Sequence, residues 1–143
     1  MDFLGIQLEE PQFTHGEAVA ITGVPSKTLN NWTQRGIVHV GTLHRTGRRL
    51  YSLLDLIELT IIGELADMVA MPVANAAAIA KEVREHVLTK EQSLDLSVWF
   101  EAGAPKINRP TFSRTHTQIL IPVKDIRSQV AKKALDVLKL DAP

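Results

Sequence analysis

Signals for helix ends and turns are densest between residues 13 and 51, so this stretch constrains the fold more than any other. Thr14 and Glu17 have the spacing of a capping box, in which each side chain accepts an otherwise unpaired backbone N–H at the start of a helix. Gly23 is suited to end that helix after about two turns. A second helix is predicted over Ser26–Gln34. Helices this short are unstable alone, so we expect the two to pack together.

The charge of this region is one-sided. From Ala18 through Leu54 there is no Asp or Glu, although the chain holds 16 acidic and 16 basic residues. The basic residues of the window are Lys27, Arg35, Arg45, Arg48 and Arg49, with His39 and His44 beside them. A local positive surface without acidic side chains is a candidate site for the phosphates of a nucleic acid.

The second helix has one apolar side and a polar remainder. Leu29 and Trp32 are three residues apart and therefore share a face, which we expect to pack inward. Asn and Gln side chains pair with adenine in the major groove, and Arg pairs with guanine. Two short helices joined by a turn, the second rich in such side chains, are typical of a helix-turn-helix. A solvated surface helix accounts equally well for this helix when it is taken alone.

A hairpin is predicted directly after the second helix. The β-prone run 37–40 and residues 43–45 lead to a turn at Thr46-Gly47, and 48–51 return. The tip is basic, so it can act as a wing that lies along the phosphate backbone. Tyr51 could donate its hydroxyl to a phosphate, or its ring could pack in the core.

Taken together, these residues resemble the DNA-binding domain of MerR-type transcription regulators, a winged helix-turn-helix. The positions that carry the resemblance are Ile21-Thr22-Gly23-Val24, Thr28-Leu29, Trp32, Arg35-Gly36-Ile37, Arg45, Arg49-Leu50-Tyr51 and Asp55-Leu56. The resemblance implies a bacterial, cytoplasmic regulator that binds double-stranded DNA as a homodimer.

The predicted domain extends to residue 88. Ser52 and Asp55 form a second capping box, and the third helix they start continues toward Met68. Pro72 suits the first turn of a fourth helix, predicted over 73–87. Its charged residues are expected to face solvent: Lys81, Glu82, Arg84 and Glu85.

The two ends of the chain, residues 1–12 and 89–143, carry weaker signals for secondary structure than the region between them. Residues 1–12 are expected to form an irregular N-terminal arm. Residues 89–143 are predicted to hold a hairpin of two strands, 94–100 and 117–123, followed by a helix from Asp125 to about Leu140. The connecting segment, residues 102–115, is interpreted as a loop or wide hairpin. Lys106, Arg109, Arg114 and His116 form a second basic cluster there, for which we favour a solvated loop. The fold class is therefore mainly α with small β: a winged helix-turn-helix plus a small α/β part for dimerisation, through about residues 95–140, or for regulation.

Other classes of function have little support. There is no Cys, and the five His residues show no ligand spacing, so neither a metal site nor a cofactor is expected. No catalytic motif occurs, which argues against an enzyme. No apolar run is long enough to span a membrane.

We thus expect a sequence-specific DNA-binding transcriptional regulator whose effector the sequence does not specify. Two alternatives stay open: an architectural, excisionase-like DNA-binding protein, and a protein-interaction module that has kept the fold. The candidate DNA-binding residues are Thr14, Ser26, Lys27, Thr28, Asn30, Asn31, Gln34, Arg35, His44, Arg45, Arg48, Arg49 and Tyr51.

Overall fold

The fold is mostly helical with three small antiparallel sheets. A computed structural model describes residues 2–85, 95–101, 104–108 and 118–141. In chain order the elements are β1 (Asp2–Phe3), β2 (Ile6–Gln7), α1 (His15–Thr22), α2 (Ser26–Gln34), β3 (Thr42–Leu43), β4 (Arg49–Leu50), α3 (Leu53–Met68), α4 (Val73–Val83), β5 (Leu96–Glu101), β6 (Ala104–Asn108), β7 (Ile119–Ile121) and α5 (Val123–Asp141). The predicted mainly helical class is confirmed.

The N-terminal segment is not the irregular arm that we expected. β1 and β2 pair antiparallel across a turn in which Leu4 and Gly5 both have positive φ. Ile6 and Leu8 are buried in the core, and the Leu8 carbonyl accepts a hydrogen bond from the Leu54 amide at 3.0 Å. Burial of these two side chains gives the segment a fixed place in the core.

The first two helices follow the sequence closely. The Thr14 hydroxyl accepts from the Glu17 amide at 3.2 Å, and the Thr14 amide donates to the Glu17 carboxylate at 2.9 Å, which completes the capping box. Gly23 has the left-handed conformation (φ +77°), in which its amide reaches the Val19 carbonyl. α2 spans the residues predicted for it.

The run 37–40 was predicted to be a strand, and this is wrong. The amides of Ile37 and Val38 both donate to the Trp32 carbonyl, at 3.1 and 3.3 Å, so they close the end of α2 and cannot pair with a strand. Val38 and Val40 are buried, so the apolar pattern of the run reflects core packing. The hairpin begins later, with Thr42 opposite Leu50.

The two ends of the region 13–51 are tied together. The Phe13 amide donates to the Tyr51 carbonyl at 2.9 Å, and the Tyr51 amide donates to the Phe13 carbonyl at 2.8 Å. Both side chains are fully buried. The helix pair and the hairpin therefore form one closed unit, which fixes the hairpin beside α2.

α3 is the centre of the core. It packs against α4, α5 and α1, and most of its residues are buried. Its predicted capping box is present: the Ser52 amide donates to the Asp55 carboxylate at 2.8 Å, and the Asp55 amide donates to the Ser52 hydroxyl at 3.1 Å.

α4 differs from the prediction in two respects. The described helix ends at Val83, and residues 86–87 of the predicted helix lie outside the described part of the chain. Arg84, which we expected to face solvent, instead donates to the carboxylates of Asp55 and Glu58 on α3. Two buried carboxylates on the neighbouring helix draw its guanidinium inward, since buried charges need a partner.

The C-terminal part contains one strand more than we predicted. Three antiparallel strands lie in the order β6-β5-β7. β6 falls in the segment that we interpreted as a loop or wide hairpin, and residues 104–108 pair with β5 as a hairpin strand instead of forming a solvated loop. Pro105 and Lys106 obscured this strand, and both are tolerated because β6 lies at an edge. Arg109, Arg114 and His116 of the predicted basic loop lie outside the described residues.

α5 closes the fold. It begins at Val123, two residues before the predicted start, and Asp125 lies in its first turn. It packs against α3 and α1, and the Arg127 guanidinium lies 4.1 Å from the centre of the Phe3 ring. None of the helices within the described ranges has the length and apolar character needed to cross a membrane.

Candidate nucleic-acid interface

α2 presents its polar side chains to solvent. Leu29 and Trp32 are buried against the rest of the fold, as their spacing predicted. This orientation turns the remaining positions outward. The predicted contact residues that are exposed on α2 and at its end are Ser26, Lys27, Asn30, Asn31, Gln34 and Arg35, and Thr28 is half-buried. The helix therefore presents hydrogen-bond donors and acceptors to solvent along its exposed side.

A hydrogen bond that we did not anticipate links the two helices at this surface. The His15 ring nitrogen Nε2 lies 2.8 Å from the Ser26 hydroxyl, so the first turn of α1 is joined to the first turn of α2. His15 was absent from our candidate residues. Its place directly after the Thr14 cap was a usable signal, because the first turn of a helix is exposed to any anion that binds there.

The basic hairpin (Thr42–Leu50) has a well-defined turn. The His44 amide donates to the Arg48 carbonyl at 2.7 Å, and the Gly47 amide donates to the His44 carbonyl at 2.9 Å. The His44 ring nitrogen Nδ1 lies 3.0 Å from the Thr46 hydroxyl. These contacts occupy the turn itself and leave the side chains of Arg45 and Arg48 exposed.

Arg49 differs from the other two arginines. It is half-buried, and its Nη1 donates to the Val40 carbonyl at 3.0 Å. Its methylene chain lies against Gly41, where an added Cβ would be only 2.8 Å from Arg49 Cγ. Part of its donor set is therefore used to hold the hairpin against the segment that follows α2.

Tyr51 is removed from the candidate contacts. Its side chain is only 1% exposed, and burial raises the pKa of its hydroxyl, an effect that the nearby Arg49 charge opposes. A phosphate contact requires an accessible hydroxyl, so the packing interpretation is the one that fits.

A cleft of about 380 Å³ lies between α1, α2 and the basic hairpin. It is lined by Thr14, His15, Gly16, Asn30, Thr33, Arg48, Arg49 and Tyr51. None of the described residues that line it is acidic. Two arginines and the start of α1 make it positive, which suits a negatively charged group.

Comparison with known proteins agrees with this geometry. Residues 13–83 match the family model described as MerR HTH family regulatory protein. This part of the chain belongs to the MerR HTH family. A search of curated proteins found no match for the chain. Members of this family are DNA-binding regulators and are not typically enzymes.

The MerR region ends beside a buried ion cluster. Arg84 Nη1 lies 3.1 Å from a Glu58 carboxylate oxygen and forms a second ion pair with Asp55. Burial lowers the pKa of Arg84, but the charges and hydrogen bonds of the two carboxylates outweigh it, so that its pKa is raised. The cluster fastens α4 to the start of α3, directly behind the hairpin. Within the described ranges no group of His, Asp and Glu side chains could hold a metal ion.

Proposed function

We propose that the protein is a sequence-specific DNA-binding transcriptional regulator, in which α2 enters the major groove and the basic hairpin acts as the wing that contacts phosphates. The observation that carries this proposal is the single surface formed by the exposed polar side of α2 and the exposed Arg45 and Arg48. The described residues that line the cleft between them include no acidic side chain. Membership of residues 13–83 in the MerR HTH family supports the same conclusion.

The two parts of this surface have different roles in the proposal. Asn30, Asn31 and Lys27 lie on α2 and are placed to contact base edges, which distinguish sequences. Arg45 and Arg48 lie on the hairpin and contribute charge, which acts on all sequences alike.

The test begins by selecting bound fragments from genomic DNA of the source organism and sequencing them. Affinity for a selected fragment and for a scrambled one is then measured over a salt series. Arg45→Ala and Arg48→Ala are expected to lower the affinity for both fragments. Each should also reduce the magnitude of the slope of log K against log salt by about 0.9. Asn30→Ala is expected to weaken binding of the selected fragment by roughly 1–3 kcal/mol and to affect binding of the scrambled fragment less.

Lys132→Ala, an exposed substitution on α5, is the matched control and should change neither affinity. Equal affinity of the unsubstituted protein for the selected and scrambled fragments would refute sequence specificity. If the hairpin and α2 substitutions both behaved like Lys132→Ala, the assignment of this surface would be wrong.

We further infer that the protein forms a homodimer through the C-terminal part, as two half-sites of an operator would require. Three exposed apolar side chains support this inference: Met68 is 81% exposed, Leu120 is 57% exposed, and Val69 lies beside Met68. All three line an apolar cleft of about 380 Å³ between the end of α3 and β7. Exposed apolar surface of this kind marks an interaction site.

Sedimentation equilibrium at micromolar concentration tests the dimer. Leu120→Asp is expected to yield a monomer, because it places a charge in the apolar contact. Leu43→Asp is the matched control, since Leu43 is 65% exposed on the hairpin, away from this cleft. A monomeric unsubstituted protein, with and without DNA, would refute the dimer.

A further inference from the structure

We propose that a second cleft, between the helix-turn-helix and α5, binds a small organic cation with an aromatic or aliphatic body. The cleft has a volume of about 530 Å³, within the range of roughly 300–1,000 Å³ found for small-molecule sites. Its walls come from four parts of the fold: the turn at residues 22–25, α2, α3 and α5. It opens on a different side of α2 from the exposed polar surface assigned to DNA, and Thr28, which is half-buried, is the candidate DNA-binding residue that also lines it.

The wall of the cleft is largely apolar. Ile21 and Val24 line it at the helix-turn-helix, and Val130 lines it on α5. Among the described residues, Trp32, which anchors α2, is the one that contributes an aromatic side chain to the wall. An indole ring favours a bound cation over an anion, because the face of the ring is electron-rich.

The charges at the cleft also select a cation. Glu64 and Asp67 are three residues apart on α3, so they lie on the same side of the helix. In the part of the chain that the structure describes, Lys133 is the one basic residue in the lining. Within the described residues Glu64 takes part in no hydrogen bond or ion pair. The Lys133 ammonium affects its carboxylate through the electrostatic interaction of the two charges, without forming an ion pair.

Glu64 is half-buried, so its carboxylate would be stabilised by a nearby cation. Burial raises the pKa of its carboxyl, while the Lys133 charge opposes that shift. A carboxylate that has lost part of its hydration and has no close partner is stabilised by a ligand cation. The two carboxylates, one ammonium and apolar wall together fit a monocation better than a neutral or anionic molecule of the same shape.

A ligand in this cleft would contact both the turn that precedes α2 and Trp32 within it. If the ligand changes the position of α2, its binding and that of DNA must affect each other equally. This consequence rests on the proposed function, whereas the binding site itself does not.

The experiment uses the full chain with Trp99→Phe, which leaves Trp32 as the sole tryptophan and thus as a reporter in the cleft wall. Benzyltrimethylammonium is titrated while Trp32 emission is recorded, and calorimetry provides an independent affinity. Benzenesulfonate and benzyl alcohol serve as the anionic and neutral probes. We expect saturable binding of the cation and much weaker binding of the other two.

Substitutions then test the charges. Glu64→Gln should weaken cation binding by roughly tenfold, and Lys133→Met should strengthen it, because the first removes an attraction and the second a repulsion. Glu82→Gln, at an exposed position on α4, is the matched control and should leave the affinity unchanged.

The site is refuted if the cation shows no saturable binding at millimolar concentration, if benzenesulfonate binds equally well, or if Glu64→Gln has no more effect than Glu82→Gln. These measurements use the protein without DNA, so they stand apart from the proposed function. Where DNA binding is established, saturating cation should change the DNA affinity severalfold, and an unchanged affinity would refute the coupling alone.

Discussion

Replacing Arg84 with Met should destabilise the protein strongly, because Arg84 is the shared partner of two buried carboxylates. The side chains of Asp55 and Glu58 are only 6% and 7% exposed, whereas that of Arg84 is 26% exposed. Arg84→Met keeps most of the apolar side chain and removes the charge. Loss of one partner from a buried ion pair costs about 3–5 kcal/mol, and the partial exposure of Arg84 places the expected cost nearer 2–3 kcal/mol.

The measurement is urea unfolding at neutral pH, followed by far-ultraviolet circular dichroism. A loss of this size corresponds to a fall in Tm of about 6–10 °C for a chain of this length. Arg45→Met is the matched control, since that arginine is exposed on the hairpin and should shift the free energy of unfolding by less than about 0.5 kcal/mol.

The pH dependence follows from Glu58. Burial raises the pKa of its carboxyl, and this outweighs the lowering by Arg84. A carboxyl whose pKa is raised in the folded state contributes stability that is complete below its unfolded value and is lost as the pH rises through the folded value. Removing Arg84 raises the folded pKa further. The difference between Arg84→Met and the unsubstituted protein should therefore be largest near neutral pH and shrink on acidification toward 4.5, the ordinary value for Glu.

A double substitution separates this mechanism from simple loss of packing. Glu58→Gln combined with Arg84→Met leaves one buried charge fewer, so it should be more stable than Arg84→Met alone at neutral pH. If the double variant were the less stable of the two, or if Arg84→Met matched the unsubstituted protein within about 0.5 kcal/mol, the ion cluster would not have the role assigned to it.

Three further predictions concern the hairpin and its surroundings. Gly41→Ala should lower the free energy of unfolding by at least about 2 kcal/mol in urea titrations, because its φ is +84° and the new Cβ would meet Arg49; Gly47→Ala, with the same φ and open space, should cost less, and equal costs would contradict the clash. Ser52→Ala should lower the free energy of unfolding by about 1 kcal/mol in the same assay, because α3 loses its N-terminal cap. Ser52→Thr keeps a capping hydroxyl and should retain most of that stability. An alanine variant as stable as the unsubstituted protein would contradict this role of Ser52. Tyr51→Phe should leave the affinity for a selected DNA fragment within about twofold, since the buried hydroxyl is out of reach of phosphate; a large loss with unchanged stability would restore this residue to the interface.

Local signals in the sequence were sufficient to predict both ends of α1, the span of α2 and the start of α3. A capping box is a contact between residues three positions apart, so the pairs Thr14–Glu17 and Ser52–Asp55 could be predicted without knowledge of distant residues. The same holds for Gly23, whose left-handed conformation depends on its own backbone. The apolar spacing of α2 likewise determined which of its sides is exposed.

The tertiary structure decided the features that depend on contacts between distant segments. The run 37–40 has the composition of a strand, but its amides close α2 instead. β6 contains a proline and becomes a strand only because β5 lies beside it. Arg84 faces inward because of two carboxylates that are 26 and 29 residues away in the chain. The burial of Tyr51 follows from its pairing with Phe13.

By itself, then, the sequence determined that two short helices, the first of them with a capping box, are followed by a basic hairpin, and that the second helix carries polar side chains outward. Only the tertiary structure decided which of the basic and aromatic residues remain accessible. Arg45 and Arg48 are exposed, whereas Tyr51 is buried. Arg49 is half-buried and donates a hydrogen bond to the Val40 carbonyl. The physical reason is that helix caps and periodicity are set by neighbours along the chain, whereas burial and ion pairing depend on segments that meet only after folding.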